Sequence, residues 1–315
     1  MSGETPSLAG DRATGKAPRP GGPEGALDFE ALARVSDMQL LARAVVEGFI
    51  LGLHRSPYRG FSVEFAEHRS YSPGDEIRHV DWKVFGKTDR YYVKQFEEET
   101  NLTCHILLDA SGSMGYGERT TKLRYASTMA ACLAYLMIRQ HDATGLAIFD
   151  TKIRTMLPPR LRQSHLKQML SELEGVTSGG ETRIAPVLHG LAEGLARRGL
   201  VVLISDLLDD PEAVLSGLRH FRFLGHDVIV FHVMDESELT FPFDSLTEFT
   251  DLETGERALV SPEGMRPVYR EALGRFLAAY EKLCADAGVD YKLFDTSKPL
   301  ELSLSEYLYR RSRMG

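Results

Sequence analysis

From Leu102 onward the apolar positions change rhythm several times, and each change marks an element. Near-continuous apolar runs of strand length fall at 102–109 (LTCHILLD), 145–150 (GLAIFD), 153–158 (IRTMLP), 200–206 (LVVLISD), 227–233 (DVIVFHV) and 289–295 (VDYKLFD). Between them the spacing turns helical. Residues 122–140 are apolar on nearly every side, and 165–175 form a helix closed by Gly175. A helix over 184–199 has Pro186 in its first turn, and another opens at Asp210, a good N-cap, with Pro211 at the first helical position. Residues 266–288 make a long helix, and 246–260 turn at ETGE like a hairpin. Buried strands alternating with helices predict an α/β fold, a doubly wound and mostly parallel sheet with helices on both faces.

Upstream the pattern is different. Residues 1–26 carry too few large apolar groups to offset ordering entropy and read as a disordered tail. Within it, GDRATGKA (10–17) nearly spells a phosphate-binding loop, but Ala17 lacks the hydroxyl that holds Mg²⁺ and no strand precedes it, so it is a chance match. Residues 27–57 are an N-terminal helical segment, with Phe29, Leu32, Leu40, Leu41, Val45 and Phe49 at largely helical spacing. Short aromatic and β-branched runs divided by SPGD and GKTD predict a small β-rich subdomain over 58–100. The α/β domain then spans 101–298, and 299–315 form a C-terminal helix and tail.

Composition narrows the function. With 45 acidic against 37 basic side chains and a formal charge of −8, the surface repels nucleic acid and anionic membranes. Cys104, Cys132 and Cys284 are far apart and match neither a disulfide framework nor a zinc site. Cys132, on an apolar helix, belongs in the core. No secretory leader and no run of roughly 20 apolar residues is visible, so a cytoplasmic location is expected. His226 and His232 share a strand face as ordinary sheet residues.

The chemistry concentrates in LLDASGSMG (107–115). Asp109 ends a strand, where ligand sites of such sheets lie, and Ser111 and Ser113 follow at alternate positions. Thr182, in TSGGETRIAP, and Asp206, closing LVVLISD, can reach the same crevice. Oxygen donors alone suit a hard divalent cation such as Mg²⁺. The same Asp-Ser-Gly-Ser stretch could also merely cap a helix.

This constellation resembles the metal-ion-dependent adhesion site of von Willebrand factor A domains. The resemblance implies that Ser111, Ser113 and Thr182 contact Mg²⁺ (or Mn²⁺ or Ca²⁺), while Asp109 and Asp206 ligate it directly or through water. The block EFAEHRSYSPGDEIRHVDWKVFGKTDRYYVKQFEEE (64–99) is similar to the signature of the bacterial family catalogued as domain of unknown function fifty-eight, whose members carry such a domain. That family implies a MoxR-type AAA+ ATPase as partner, in complex assembly or maturation. Glu181 departs from the commoner Gly-Gly-small-Thr pattern, and the transmembrane pair of many longer relatives is not seen. Arg69, Asp75, Arg78, Asp81 and Trp82 read equally as a structural ion-pair network or as a binding surface.

Neutral hydroxyl ligands leave a cation electrophilic, so it can accept an acidic side chain from a protein partner. The expectation is therefore a non-enzymatic, metal-dependent binding or adapter module. A metal-free structural scaffold is the alternative. A metal-assisted hydrolase has less in its favour, since no G-x-S-x-G elbow surrounds either serine and the three loops carry no histidine base.

Overall fold

In the computed structural model, residues 38–43, 45–46, 69–70, 92–93, 102–195 and 197–312 are described. The expected tail over 1–26 lies outside them, as do most of 27–57 and 58–100, including Asp75, Arg78, Asp81 and Trp82. Residues 38–43 and 45–46 are helical and bury Met38, Leu41, Ala42, Val45 and Val46 in the main core. Strands β1 (Arg69–Ser70) and β2 (Tyr92–Val93) form a short antiparallel pair.

The domain proper runs β3 (Thr103–Asp109), α1 (Lys122–Arg139), β4 (Ala143–Phe149), β5 (Ile153–Arg160), α2 (Gln163–Gly175), α3 (Ile184–Gly194), β6 (Leu200–Ser205), α4 (Pro211–Phe223) and β7 (Asp227–Met234). It continues with α5 (Glu236–Thr240), β8 (Thr247–Thr250), β9 (Arg257–Val260), α6 (Pro262–Asp286), β10 (Asp290–Asp295) and α7 (Leu300–Ser312). Six strands make one sheet in the order β10-β7-β6-β3-β4-β5, parallel except for β5. This is the doubly wound α/β arrangement expected of a von Willebrand factor A-like domain. Strands β8 and β9 form a separate antiparallel hairpin.

Alternation along the central strands sorts their side chains into two layers. Ile106, Leu108, Val202 and Ile204 join the core beneath α1 and α2. Leu107, Val201 and Leu203 join the opposite core with α3, α4 and the buried Tyr280 and Cys284 of α6. Helix α1 lies within the first layer, which explains its apolar circumference. Strand β5 is exposed at alternate positions and carries Pro158 and Pro159, which an edge strand tolerates because one side makes no ladder.

Two helix ends depart most from the sequence expectation, and one short helix is new. Helix α3 stops at Gly194 and not at 199: Gly190 and Gly194 are weak helix formers, and the extended Leu195 turns back into the core. Helix α6 starts earlier, at Pro262, whose missing N–H costs nothing at the first helical position. The one-turn α5 was not anticipated; Asp235 and Glu238 form its reciprocal capping box.

Strand β3 is followed in the sheet by β4 on one side and by the later β6 on the other. The order reverses between β3 and β6, so their carboxyl ends border the crevice where this architecture places ligands. Leu203, fully buried in β6, tests the packing behind it. Leu203→Ala is expected to cost about 2–5 kcal/mol in denaturant unfolding, with an unchanged slope; a loss near zero would remove β6 from the core.

Candidate functional site

Asp109 is the last residue of β3 and is fully buried. Its Oδ1 accepts the Ser111 N–H at 2.9 Å, and its Oδ2 accepts the Ser205 hydroxyl at 2.6 Å. The Ser205 Oγ in turn accepts the Leu207 N–H at 2.9 Å. Leu207 has φ 55°, an uncommon conformation for a branched side chain, and the Tyr280 hydroxyl donates to its carbonyl at 2.9 Å. The turn after β6 is thus strained and held from both sides.

Past Asp109 the chain enters a 3-10 turn, Gly112–Gly115, which brings the Ser111 and Ser113 Oγ atoms to 3.2 Å. Two backbone bonds stitch this turn to the glycine-rich loop before α3: Gly112 N–H to the Gly180 carbonyl at 2.9 Å, and Gly179 N–H to the Ala110 carbonyl at 3.1 Å. Arg154 secures the same loop, donating to the Thr177 and Gly179 carbonyls at 2.6 and 2.5 Å and to Asp150 at 2.6 Å. Glu181, the departure from the usual pattern, faces solvent beside Arg183 and does not enter the cluster.

Thr182 is placed differently from the two serines. Its N–H and its hydroxyl both donate to the carboxylate of Glu253, on the turn between β8 and β9, the N–H at 3.0 Å. Asp206 follows β6 and is fully buried, with its Oδ2 2.8 Å from the Lys122 ammonium. Lys122 also donates to Glu238 at 2.6 Å. The structure therefore joins Asp109, Ser111 and Ser113 directly, sets Asp206 near enough to act on Asp109 electrostatically, and turns Thr182 toward Glu253.

Lys122, Ser205, Glu238 and Glu253 were not singled out from the sequence. Of these, Lys122 carried a signal: a cation at the first position of a helix opposes the helix dipole, and on a largely apolar helix it calls for acidic partners. Burial works against its charge, but Asp206 and Glu238 hold its pKa above the ordinary value. Burial raises the Glu238 pKa, with Lys122 countering. Burial, and then the neighbouring Asp206, push Asp109 up to about 7 against its bonds from Ser205 and Ser111.

The donor set of Asp109, Ser111, Ser113 and Asp206 is oxygen only, and the crowding of its carboxylates calls for positive charge; its chemistry fits a hard cation. Among the described residues no three His, Cys, Asp or Glu side chains are grouped as metal ligands, so such a site depends on the hydroxyls. A cleft of ≈ 360 Å³ opens beside Ser113, the one member of this set that lines it, with Tyr116, Leu208, Glu238, Leu252 and Glu253.

The family described as "Protein of unknown function DUF58" matches residues 67–277. The uncharacterized protein Rv1480 of Mycobacterium tuberculosis is 26% identical over 259 residues, covering 80% of each chain. Among solved structures, the conserved hypothetical protein BatB of Bacteroides thetaiotaomicron is 16% identical with a TM-score of 0.47, covering 67% of this chain and 99% of its own. An aerotolerance-related membrane protein of Bacteroides fragilis is 16% identical with a TM-score of 0.46, covering 66% and 97%. Among the described residues of the present chain, no helix is long and apolar enough to cross a membrane.

The raised Asp109 pKa sets a pH dependence. An unfolded Asp titrates near ~3.9, so between about 4 and about 7 the folded chain binds the extra proton and stability falls as pH rises. In chelator, the stability of the wild type relative to Asp109→Asn should decline across that window and level off above it. A flat difference from pH 4 to 8 would mean that Asp109 titrates as an ordinary carboxylate.

Proposed function

The chain belongs to the DUF58 family of unknown function, and from that premise we propose a non-enzymatic protein-binding module of von Willebrand factor A type. In this reading its hydroxyl site holds Mg²⁺, or Mn²⁺ or Ca²⁺ in its place, and through it an acidic side chain of a protein partner. The observation that carries the reading is the pair of serine hydroxyls, 3.2 Å apart, beside the buried Asp109 at the carboxyl end of β3. Asp109, Ser111, Ser113 and Asp206 would hold the ion, and Thr182 would join them when Glu253 releases its hydroxyl. Few charged donors leave the cation electrophilic, which suits recognition of a carboxylate more than chemistry upon it. Residues 109–116, 177–183 and 205–210 contain no histidine to act as a base, which supports binding over hydrolysis. A MoxR-type AAA+ ATPase, implied by the family resemblance, is the first partner to test in an adapter role.

One observation favours a second reading. Lys122 already sets an ammonium 2.8 Å from Asp206, so the positive charge of the site can come from the chain itself, giving a metal-free scaffold.

Thermal unfolding and titration calorimetry in Mg²⁺ and in EDTA separate the two. A cation that binds the folded state raises stability by about 2.7 kcal/mol at a hundredfold excess over Kd. The expected result is such a rise in the wild type and its loss in Asp109→Ala. Ser111→Ala combined with Ser113→Ala, folded by circular dichroism, should also lose capture of the ATPase. No Mg²⁺ binding by the wild type, with binding gained in Lys122→Met, would favour the scaffold and sink the metal-dependent module.

A further inference from the structure

We propose that Glu253 fills, from within the chain, the carboxylate position of the hydroxyl site, and that the external partner presents an acidic residue on a similarly tight turn and displaces it. This rests on the reading that the site takes an acidic side chain, and it names the form in which that side chain arrives.

The turn between β8 and β9 is built to project one carboxylate. Asp251 Oδ1 accepts the N–H groups of Glu253 at 2.7 Å and Thr254 at 3.1 Å, the Asp251 N–H reaches the Glu256 carbonyl at 2.8 Å, and Gly255 supplies the φ of 75° that closes the turn. Its tip is seated on Gly112, between the two serines. A side chain at Gly112 would meet the Leu252 carbonyl at 2.8 Å and the Glu253 Cγ at 3.1 Å, so glycine is what lets the turn approach. The Glu253 carboxylate then takes the N–H and the hydroxyl of Thr182, the third hydroxyl of the expected set.

The hairpin stands apart from the six-stranded sheet, with two strands of four residues each and Leu259 67% exposed. The strand pair is anchored one residue short of the turn, since Phe249 packs against Phe241 and Phe243 with ring centroids 5.8 and 5.1 Å apart. The turn, residues 251–256, can therefore lift while the paired strands and the sheet stay in place. A structural alternative is that Glu253 serves as a cap for the N-terminus of α3, where Asp209 already accepts the Ile184 N–H at 2.9 Å.

The test uses the full chain as wild type, Glu253→Gln and Glu253→Ala, and a fluorescent peptide with the sequence of residues 247–260, closed by a terminal disulfide. The glutamine variant keeps an acceptor for the Thr182 N–H, so it guards against loss of fold. A tethered carboxylate competes at an effective concentration of roughly millimolar, so both variants should bind the peptide at least about tenfold more tightly than wild type in Mg²⁺. Adding Ser111→Ala and Ser113→Ala to Glu253→Gln should abolish the gain. Equal binding to all three proteins, including none to any, would make Glu253 a helix cap and overturn the proposal. A gain that persists in EDTA upholds occupancy by Glu253 and rejects the cation reading.

Discussion

A buried ammonium fixes the mouth of the sheet. Lys122 has no exposed side-chain surface and lies 2.8 Å from Asp206 and 2.6 Å from Glu238, so three elements, α1, the end of β6 and α5, meet at one charge. Taking these ions out of water costs several kcal/mol for each, roughly, and mutual attraction offsets that only in good geometry. Removing one member leaves the others buried and uncompensated. The arrangement therefore acts as a registry pin: helix α1 cannot slide along the sheet without unpairing Asp206.

Around that pin the loops are joined by short backbone bonds and by few side chains. The turn after β3 and the glycine-rich loop before α3 exchange two peptide hydrogen bonds, with Arg154 bracing the loop from behind. The strained Leu207 sits between Ser205 and Tyr280, whose bonds offset a cost on the order of 1–3 kcal/mol. Rigid placement of this kind keeps Asp109 and the serines in position without relying on a bound ligand. It also leaves the approach to Ser113 open as a cleft.

The balance of charge at the crevice is uneven. Asp206 has a partner in Lys122, whereas Asp109 receives hydrogen bonds and, among the described residues, no ion pair, and its pKa rises to about 7. The two carboxylates of one candidate site thus have different roles in the bare chain: one is neutralised in place, and the other keeps a demand for positive charge near neutral pH. Glu253 adds a third carboxylate at the rim, held by Thr182.

Much of the fold is legible in the sequence because burial on both faces forces near-continuous apolar strands, and because Asp210-Pro211 is a strong local helix start. Asp109, Ser111 and Ser113 could be grouped because they fall within five consecutive residues at the end of β3, where local geometry places them. Helix ends at Gly194 and Pro262 were missed, since tertiary packing moves boundaries that propensity leaves soft. The partnerships of Lys122 with Glu238 and of Thr182 with Glu253 span 116 and 71 residues, and no local pattern encodes which distant acid will arrive. The sequence determined which residue types could form an oxygen-rich crevice and on which strand ends they sit; tertiary structure decided which charges meet there, because long-range pairing depends on how loops cross after the sheet is assembled.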